Sequence, residues 1–426
     1  MHITDVLCVP GRTGFFTDDQ AAIRAGAGHD GFAYTGAPRT PGFRAVREAG
    51  EAVSVLLILS DGQVAHGDCA GVQYQGVGGR DPVFRAGDAV EVLDRVVAPV
   101  LRGLELTGFP ATVEMLDRLT TVDGRPLHSA IQYGVSQALL DAVARSRRCT
   151  MAEVVRDDYR TGLPIRAVPL FAQSGDDRYT SVDRMVLKGA GALPHGLINQ
   201  VATKLGADGG LFAEYVAWVR DRILALRTDP SYAPVLHFDV YGTVGLAFDG
   251  DVGRIADYLA RLGSVAAPFR LQIEHVVDGG SRDAQVAVFA DLRAALRARG
   301  SDVQIVVDEW CNTLEDVAEF VAAQAADVVH VKTPDLGNIG HTAEALLLVT
   351  RGGLEAYCGG TCNETDRSAQ VSAHVAMACG AGQLLAKPGM GVDEGLMIVG
   401  NEMARVEALV AGRDRTRSVA AVDDRT

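Results

Sequence analysis

The sequence lacks the marks of a secreted or membrane protein. Its seven cysteines are an odd number scattered through 426 residues, which does not indicate a disulfide framework. No apolar run reaches the length of about 18 residues that predicts a membrane span. The N-terminus, MHITDVLCVPGRTG, has no signal-peptide pattern. We therefore expect a cytoplasmic protein.

Basic residues and phosphate-binding loops are also scarce. Forty Lys and Arg residues stand against 54 Asp and Glu residues, and the net charge of -14 argues against a nucleic-acid partner. The Gly-rich stretch QYQGVGGRDP (73–82) has no Gly-Lys-Ser/Thr ending, so it is not a phosphate loop. Cys358 and Cys362 form a close pair, but without a second pair they are expected to line a loop rather than to bind zinc.

Two regions of the chain differ in their hydrophobic pattern. Residues 1–165 begin with strand signals such as AVSVLLIL (52–59) and continue with helical periodicity, which favours an α+β domain. From 166 to 411, short apolar runs alternate with longer amphipathic segments. This alternation predicts a (β/α)8-type (TIM-like) barrel, with an open doubly wound sheet as the alternative. Residues 412–426 are predicted to form a polar C-terminal tail.

Three successive strands of the predicted barrel each end with an acidic residue. Asp239 lies in HFDV, Glu274 in QIEH and Asp308 in VVDEW, about one strand–helix unit apart. Because barrel active sites lie at the carboxyl ends of the strands, these acids are expected on one rim. Carboxylates crowded there need a cation, and oxygen ligands favour Mg²⁺ or Mn²⁺ over zinc. Alternatively, each acid caps the following helix or pairs with a basic residue.

The next predicted strand, VVHVKTPDLG (328–337), carries two titratable side chains. His330 and Lys332 are two residues apart, so they project to the same face of a strand. A lysine beside a metal–carboxylate cluster is suited to be a general base, because burial and the cation lower its pKa. Metal and base together predict proton abstraction next to a carboxylate. The alternative is a simple salt bridge between Lys332 and one of the acids.

Longer blocks carry a family resemblance. Together with the acids and Lys332, the following segments are similar to those of methylaspartate ammonia-lyases, members of the enolase superfamily: GHDGF (28–32), AHGDCAGVQY (65–74), QSGDDRY (173–179), LPHGLIN (193–199), GTCNET (360–365) and LAKPGMGVDEGLMIV (385–399). The resemblance runs from about residue 1 to 411. It implies an enolase-like fold, in which an N-terminal α+β capping domain (1–165) covers a catalytic barrel (166–411).

The activity implied by the resemblance is reversible elimination of ammonia from 3-methylaspartate to give mesaconate. Asp239, Glu274 and Asp308 match the family's Mg²⁺ ligands. Lys332 matches the base that takes the C3 proton of the (2S,3S) substrate. His195, which sequence alone places in a loop, matches the base for the other C3 epimer and otherwise contacts a substrate carboxylate. The resemblance also implies a homodimer, and it leaves open Mn²⁺ as a substitute ion and K⁺ as an activator.

Further positions concern the binding of the amino dicarboxylate substrate. Residues that match those holding its amino and carboxylate groups are Gln73, Gln173, Thr361 and Cys362. Leu385 matches an apolar residue bordering the site. His330 departs from the family pattern, which has glutamine there, and its imidazole is expected to replace that amide as a substrate contact. A second departure is EHVVD (274–278), which replaces a Gly-Pro sequence.

These departures near the predicted metal leave the choice of substrate open. One alternative is an enolase-superfamily lyase or dehydratase that acts on a related amino or hydroxy dicarboxylate. A barrel that binds a dicarboxylate without turnover is another, and the acids together with Lys332 argue against it.

Overall fold

The described part of the protein covers residues 1–77, 79–389 and 392–423 of a computed structural model. Gly78 of the Gly-rich stretch, Met390 and Gly391 of the LAKPGMG block, and 424–426 lie outside the described residues. The final helix continues through 412–423, so this part of the predicted tail is helical. Among the described residues, no helix is both long and apolar enough to cross a bilayer.

The N-terminal region is built on a three-stranded antiparallel sheet in the order β1–β4–β5. Burial alternates along β4, where Val53, Val55 and Leu57 face the core, as a strand with one covered face requires. The strands of this region are β1 (Ile3–Asp18), β2 (His29–Asp30), β3 (Ala33–Tyr34), β4 (Arg47–Leu59) and β5 (Val64–Ala70).

Helices cover one face of this sheet. The longest, α5, packs closely against β5, because Gly67 and Gly134 have no side chains at the crossing; a Cβ at Gly134 would lie 2.2 Å from the Cys69 nitrogen. The helices are α1 (Gln20–Arg24), α2 (Ala86–Val92), α3 (Ala98–Leu101), α4 (Phe109–Asp117), α5 (Ser129–Arg147) and α6 (Met151–Asp158), with a π-helical turn at Leu93–Val97.

The rest of the described chain forms a closed barrel of eight parallel strands, which confirms the predicted fold class. The strands are β6 (Leu170–Phe171), β7 (Ala192–His195), β8 (Val235–Asp239), β9 (Leu271–Glu274), β10 (Gln304–Val307), β11 (Val328–Val331), β12 (Glu355–Cys358) and β13 (Gln383–Leu385). They follow one another around the ring in chain order. His195 is the last residue of β7, so the expectation that it lies in a loop is wrong.

An outer layer of helices surrounds the barrel, and the main apolar core lies between helices and strands. A smaller apolar cluster fills the interior of the barrel and includes Phe171, Tyr357 and Leu385. The helices are α7 (Thr180–Leu187), α8 (Gly210–Leu226), α9 (Thr243–Ala247), α10 (Val252–Ala266), α11 (Arg282–Ala298), α12 (Leu314–Ala322), α13 (Ile339–Arg351), α14 (Asp366–Cys379) and α15 (Val392–Asp423), with a π-helical turn at Val201–Leu205.

The N-terminal region sits against the loops at the carboxyl ends of the barrel strands. The backbone N–H of Gly14 donates to the carbonyl of Glu364 at 2.7 Å. Asn363 donates through Nδ2 to the carbonyl of Gly71 at 3.1 Å. Arg80, from the Gly-rich stretch, donates through Nε to Asp335 at 2.9 Å. These contacts close the rim of the barrel on one side.

Candidate active site

The three acids come together at the carboxyl rim of the barrel. Asp239 and Glu274 are the last residues of β8 and β9, and Asp308 directly follows β10. The register of the sheet pairs Asp239 with Glu274, so their side chains lie next to each other. All three are buried, with 6%, 3% and 7% of their surface exposed.

These acids do not cap the helices that follow them, which removes one alternative. The helix directly after Asp239, α9, has no side-chain cap, and the side chains that cap α10, α11 and α12 belong to Asp251, Ser281 and Thr313. Capping is thus performed by other residues of each loop. The three carboxylates therefore lie at the carboxyl rim of the barrel without a capping role.

Crowding of negative charge is visible at Asp239. Burial raises the pKa of Asp239 above its ordinary value; a contact with His195 lowers it, and the nearby charge of Glu274 raises it. A buried carboxyl that resists ionisation in this way is stabilised by a nearby cation. The donor set therefore fits a hard divalent ion such as Mg²⁺.

Lys332 lies beside this cluster, one residue beyond β11. Its Nζ is 2.7 Å from Oδ1 and 2.8 Å from Oδ2 of Asp308. Burial by itself lowers the pKa of Lys332, but the negative charges of Asp308, Glu309 and Asp335 together outweigh it, and the pKa lies above the ordinary value. The direction is opposite to the lowering expected from burial and a cation. It follows from the ion pair with Asp308 and from the other nearby acids, so the salt-bridge alternative describes this arrangement.

His330 is part of the same cluster. The side-chain atoms of Glu274, Asp308 and His330 that can ligate a metal ion all lie within 4.8 Å of one another. The structure therefore adds the imidazole of His330 to the carboxylates as a candidate metal ligand. However, the backbone N–H of Gly360 donates to Nε2 of His330 at 3.3 Å. In the neutral ring the proton is then on Nδ1, which donates to Oε1 of Glu274 at 2.8 Å. His330 is therefore a hydrogen-bond donor to a carboxylate.

His195 occupies the end of β7, across the barrel from Lys332. Its Nε2 lies 3.5 Å from Oδ2 of Asp239 and 3.3 Å from the hydroxyl of Tyr241. Its Nδ1 is buried and has no hydrogen-bond partner among the described residues.

The predicted substrate contacts of the N-terminal region and the barrel meet at one place. Cys362 donates through Sγ to Oε1 of Gln73 at 3.2 Å, and the backbone N–H of Gln73 donates to Oγ1 of Thr361 at 3.3 Å. The amide of Gln73 also donates to Asp18 at 2.8 Å. Burial raises the pKa of Cys362 to about 12, so it stays a neutral thiol near pH 7.

A cavity of about 510 Å³ connects these groups. Of the predicted site residues, it is lined by Gln73, Gln173, His195, Asp239, Glu274, Asp308, His330, Lys332, Thr361 and Cys362. Leu385 is placed differently: it packs with Phe171 and Tyr357 inside the barrel and is not among the residues lining the cavity. The reason is its position in the last strand, where its side chain belongs to the interior apolar cluster.

Tyr241 and Arg80 are among the cavity residues that sequence reasoning missed. Tyr241 lies two residues beyond Asp239, and this spacing from a strand-end acid was a usable signal. Arg80 lies in the Gly-rich stretch and is held by Asp335 and by Glu309, at 2.9 and 3.3 Å. Nothing in the local sequence indicates those partners, because both lie more than 200 residues away in the chain.

Known proteins match this chain in sequence and in fold along nearly its whole length. Sequence models of the N-terminus and the C-terminus of methylaspartate ammonia-lyase match residues 1–160 and 162–412. The methylaspartate ammonia-lyase of Clostridium tetanomorphum is 57% identical over 413 residues, which cover 97% of this chain and 100% of that protein.

Two solved structures have the same fold throughout. The β-methylaspartase of Clostridium tetanomorphum, in a magnesium complex, superposes with a TM-score of 0.95 at 57% identity, covering 97% of this chain and 100% of that one. The methylaspartate ammonia lyase of Citrobacter amalonaticus, containing (2S,3S)-3-methylaspartic acid, gives 0.94 at 50% identity, covering 96% and 100%. The chain therefore belongs to the methylaspartate ammonia-lyase family of carbon–nitrogen lyases.

Proposed function

We propose that this protein reversibly eliminates ammonia from 3-methylaspartate to give mesaconate. The observation that carries the proposal is the position of Lys332, whose Nζ lies 2.7 Å from a buried carboxylate at the rim of the barrel. The names of the relatives support the same substrate, since they are methylaspartate ammonia-lyases over nearly the whole chain.

Asp239, Glu274 and Asp308 are proposed to hold Mg²⁺, with Mn²⁺ as a substitute. A divalent ion at this place supplies stabilisation of the negative charge that develops on the substrate carboxylate next to C3. The three side chains are buried at the ends of neighbouring strands, so little reorganisation is needed to bind it. The magnesium complex of the Clostridium tetanomorphum relative supports this assignment.

Lys332 is proposed to remove the C3 proton of the (2S,3S) isomer at its Nζ. It can accept a proton only as the neutral amine, and the close charge of Asp308 opposes that form. If ligand binding moves the carboxylate of Asp308 away from Lys332, the pKa of Lys332 falls. The neutral amine can then accept the C3 proton. His195, on the opposite wall, is proposed to act on the other C3 epimer.

The remaining cavity residues are proposed to orient the two carboxylates and the amine of the substrate. Gln73, Gln173, Thr361, Cys362 and His330 offer amide, hydroxyl, thiol and imidazole groups for this purpose. Leu385 is proposed to act from the interior cluster, behind the cavity wall.

The test is a direct assay of the proposed reaction. Purified protein is incubated with (2S,3S)-3-methylaspartate and Mg²⁺, and the ultraviolet absorbance of the conjugated diacid product is followed. Growth of the signal that stops on addition of EDTA is expected. No signal from a folded protein that binds Mg²⁺ would contradict the proposal.

A second candidate is a lyase or dehydratase for a related amino or hydroxy dicarboxylate. It is favoured by His330, which lines the cavity and presents an imidazole where the family pattern has an amide. A panel of 3-substituted aspartates and hydroxy diacids separates the two, because the preferred substrate is the one with the highest kcat/KM. A homodimer, a cytoplasmic location and activation by K⁺ stay predictions.

A further inference from the structure

Both carboxylate oxygens of Glu274 are held by imidazole rings. His330 approaches Oε1 through Nδ1 at 2.8 Å, and His237 approaches Oε2 through Nε2 at 2.7 Å. His237 lies on β8, two residues before Asp239, and is fully buried. It does not line the cavity, so it has no access to substrate.

The direction of the hydrogen bond from His237 is set by a third residue. Gln383, on β13, donates through Nε2 to Nδ1 of His237 at 2.7 Å. Because Nδ1 accepts this bond, the proton of the neutral ring is on Nε2. The ring of His237 must then donate from Nε2 to Glu274. The two hydrogen bonds together determine its orientation.

Packing holds the same ring in place. His237 stacks on Phe171, with 4.3 Å between ring centroids and 10° between planes, and it meets Tyr357 edge-on at 5.6 Å. Barrel interiors are usually filled by branched apolar residues, and buried polar groups cost free energy unless they are hydrogen-bonded. We therefore expect the buried pair of His237 and Gln383 to be there to hydrogen-bond the carboxylate of Glu274.

We propose that His237 is a positioning residue for the metal site, held by Gln383 in the tautomer that donates from Nε2 and so directing the carboxylate of Glu274 toward the cation. The inference rests on the proposed role of Glu274 as a metal ligand. Hydrogen-bond partners of metal-binding carboxylates fix the orientation of these ligands, and their loss typically weakens metal binding by about 10- to 100-fold.

The test compares two substitutions that separate the ring from its N–H group. His237→Phe keeps an aromatic ring to stack on Phe171 but removes the donor, whereas His237→Gln keeps an amide donor. Binding of Mn²⁺ to the full-length protein is measured from the electron paramagnetic resonance signal of the free ion. We expect affinity about 10- to 100-fold weaker for His237→Phe and close to wild type for His237→Gln.

A matched control uses another histidine–carboxylate pair. His374 on α14 contacts Oε1 of Glu402 at 2.9 Å, away from the cavity, and His374→Phe is expected to leave Mn²⁺ affinity unchanged. Circular dichroism and thermal melting without metal check that each variant is folded. Activity gives a second readout, since excess Mg²⁺ should restore kcat in His237→Phe.

Unchanged Mn²⁺ affinity in folded His237→Phe would overturn the inference, and so would equal weakening in His237→Phe and His237→Gln. If His237→Phe does not fold, Gln383→Met takes its place, and wild-type affinity in that variant would overturn the role of Gln383. These outcomes do not depend on turnover. A wild type that binds Mn²⁺ as described but does not release ammonia from 3-methylaspartate would contradict only the proposed function.

Discussion

His195 and Lys332 stand on opposite walls of the barrel. They lie at the ends of β7 and β11, which are four strands apart in a closed ring of eight. The strands between them on one side, β8 to β10, deliver Asp239, Glu274 and Asp308. A substrate bound over these acids would present one face to the amine and the other to the imidazole. This geometry supports two proton acceptors for two epimers.

Removal of the amine should affect one epimer. Lys332→Ala is expected to lower kcat on (2S,3S)-3-methylaspartate by about 10²- to 10⁴-fold, the usual contribution of a general base. Turnover of the other C3 epimer should persist through His195. The measurement is the steady-state rate on both isomers. Arg254→Ala, which breaks an exposed ion pair with Asp249 outside the cavity lining, is the control. Equal losses on both isomers in Lys332→Ala would refute the two-base assignment.

Asp308 is expected to be needed for metal binding. Asp308→Asn keeps the shape of the side chain but removes its charge, so the Mg²⁺ concentration for half-maximal activity should rise by more than about tenfold. Asp302→Asn changes an exposed residue before the same strand and serves as the control. An unchanged Mg²⁺ requirement in Asp308→Asn would remove this residue from the ligand set.

His330 should be replaceable by another donor. His330→Gln keeps an N–H group for Glu274, and kcat/KM is expected to change by less than about tenfold, or about 1.4 kcal/mol. His330→Ala leaves Oε1 of Glu274 without this donor and should cost more. Steady-state kinetics of both variants measure these changes in kcat/KM. A loss in His330→Gln as large as that in His330→Ala would show that the imidazole itself is required.

A buried ion pair supports the loop that carries Thr361 and Cys362. Lys387 and Glu364 are both fully buried and 2.9 Å apart, and Glu364 also accepts from the backbone N–H of Thr361 at 3.0 Å. Lys387→Met leaves an unpaired buried carboxylate, so the free energy of unfolding should fall by about 3–5 kcal/mol.

Denaturant titration measures this loss. The double variant Lys387→Met/Glu364→Gln removes both charges and should recover part of the stability. Lys188→Met breaks a half-exposed pair with Asp393 and should change the stability by less than about 1 kcal/mol. A Lys387→Met variant as stable as the wild type would contradict the structural role of the pair.

Much of the architecture was predictable because it follows from the local periodicity of apolar residues. Alternating apolar runs and amphipathic segments indicated the barrel, and the eight parallel strands confirm it. The acids were found because Asp239, Glu274 and Asp308 recur at the same point of successive units, and parallel strands bring such points to one rim. By contrast, β7 was missed because it has four residues, one of them Pro194, and gives no period-two signal.

The sequence by itself determined the barrel, the rim and the residue types available for chemistry there. Only the tertiary structure decided which atoms meet: Gln383 reaches His237 from 146 residues away, and Arg80 reaches Asp335 from 255 residues away. It also decided that Leu385 lies in the interior cluster rather than on the cavity wall. Local patterns report on neighbours along the chain, whereas hydrogen-bond direction and burial depend on groups brought together by closure of the barrel.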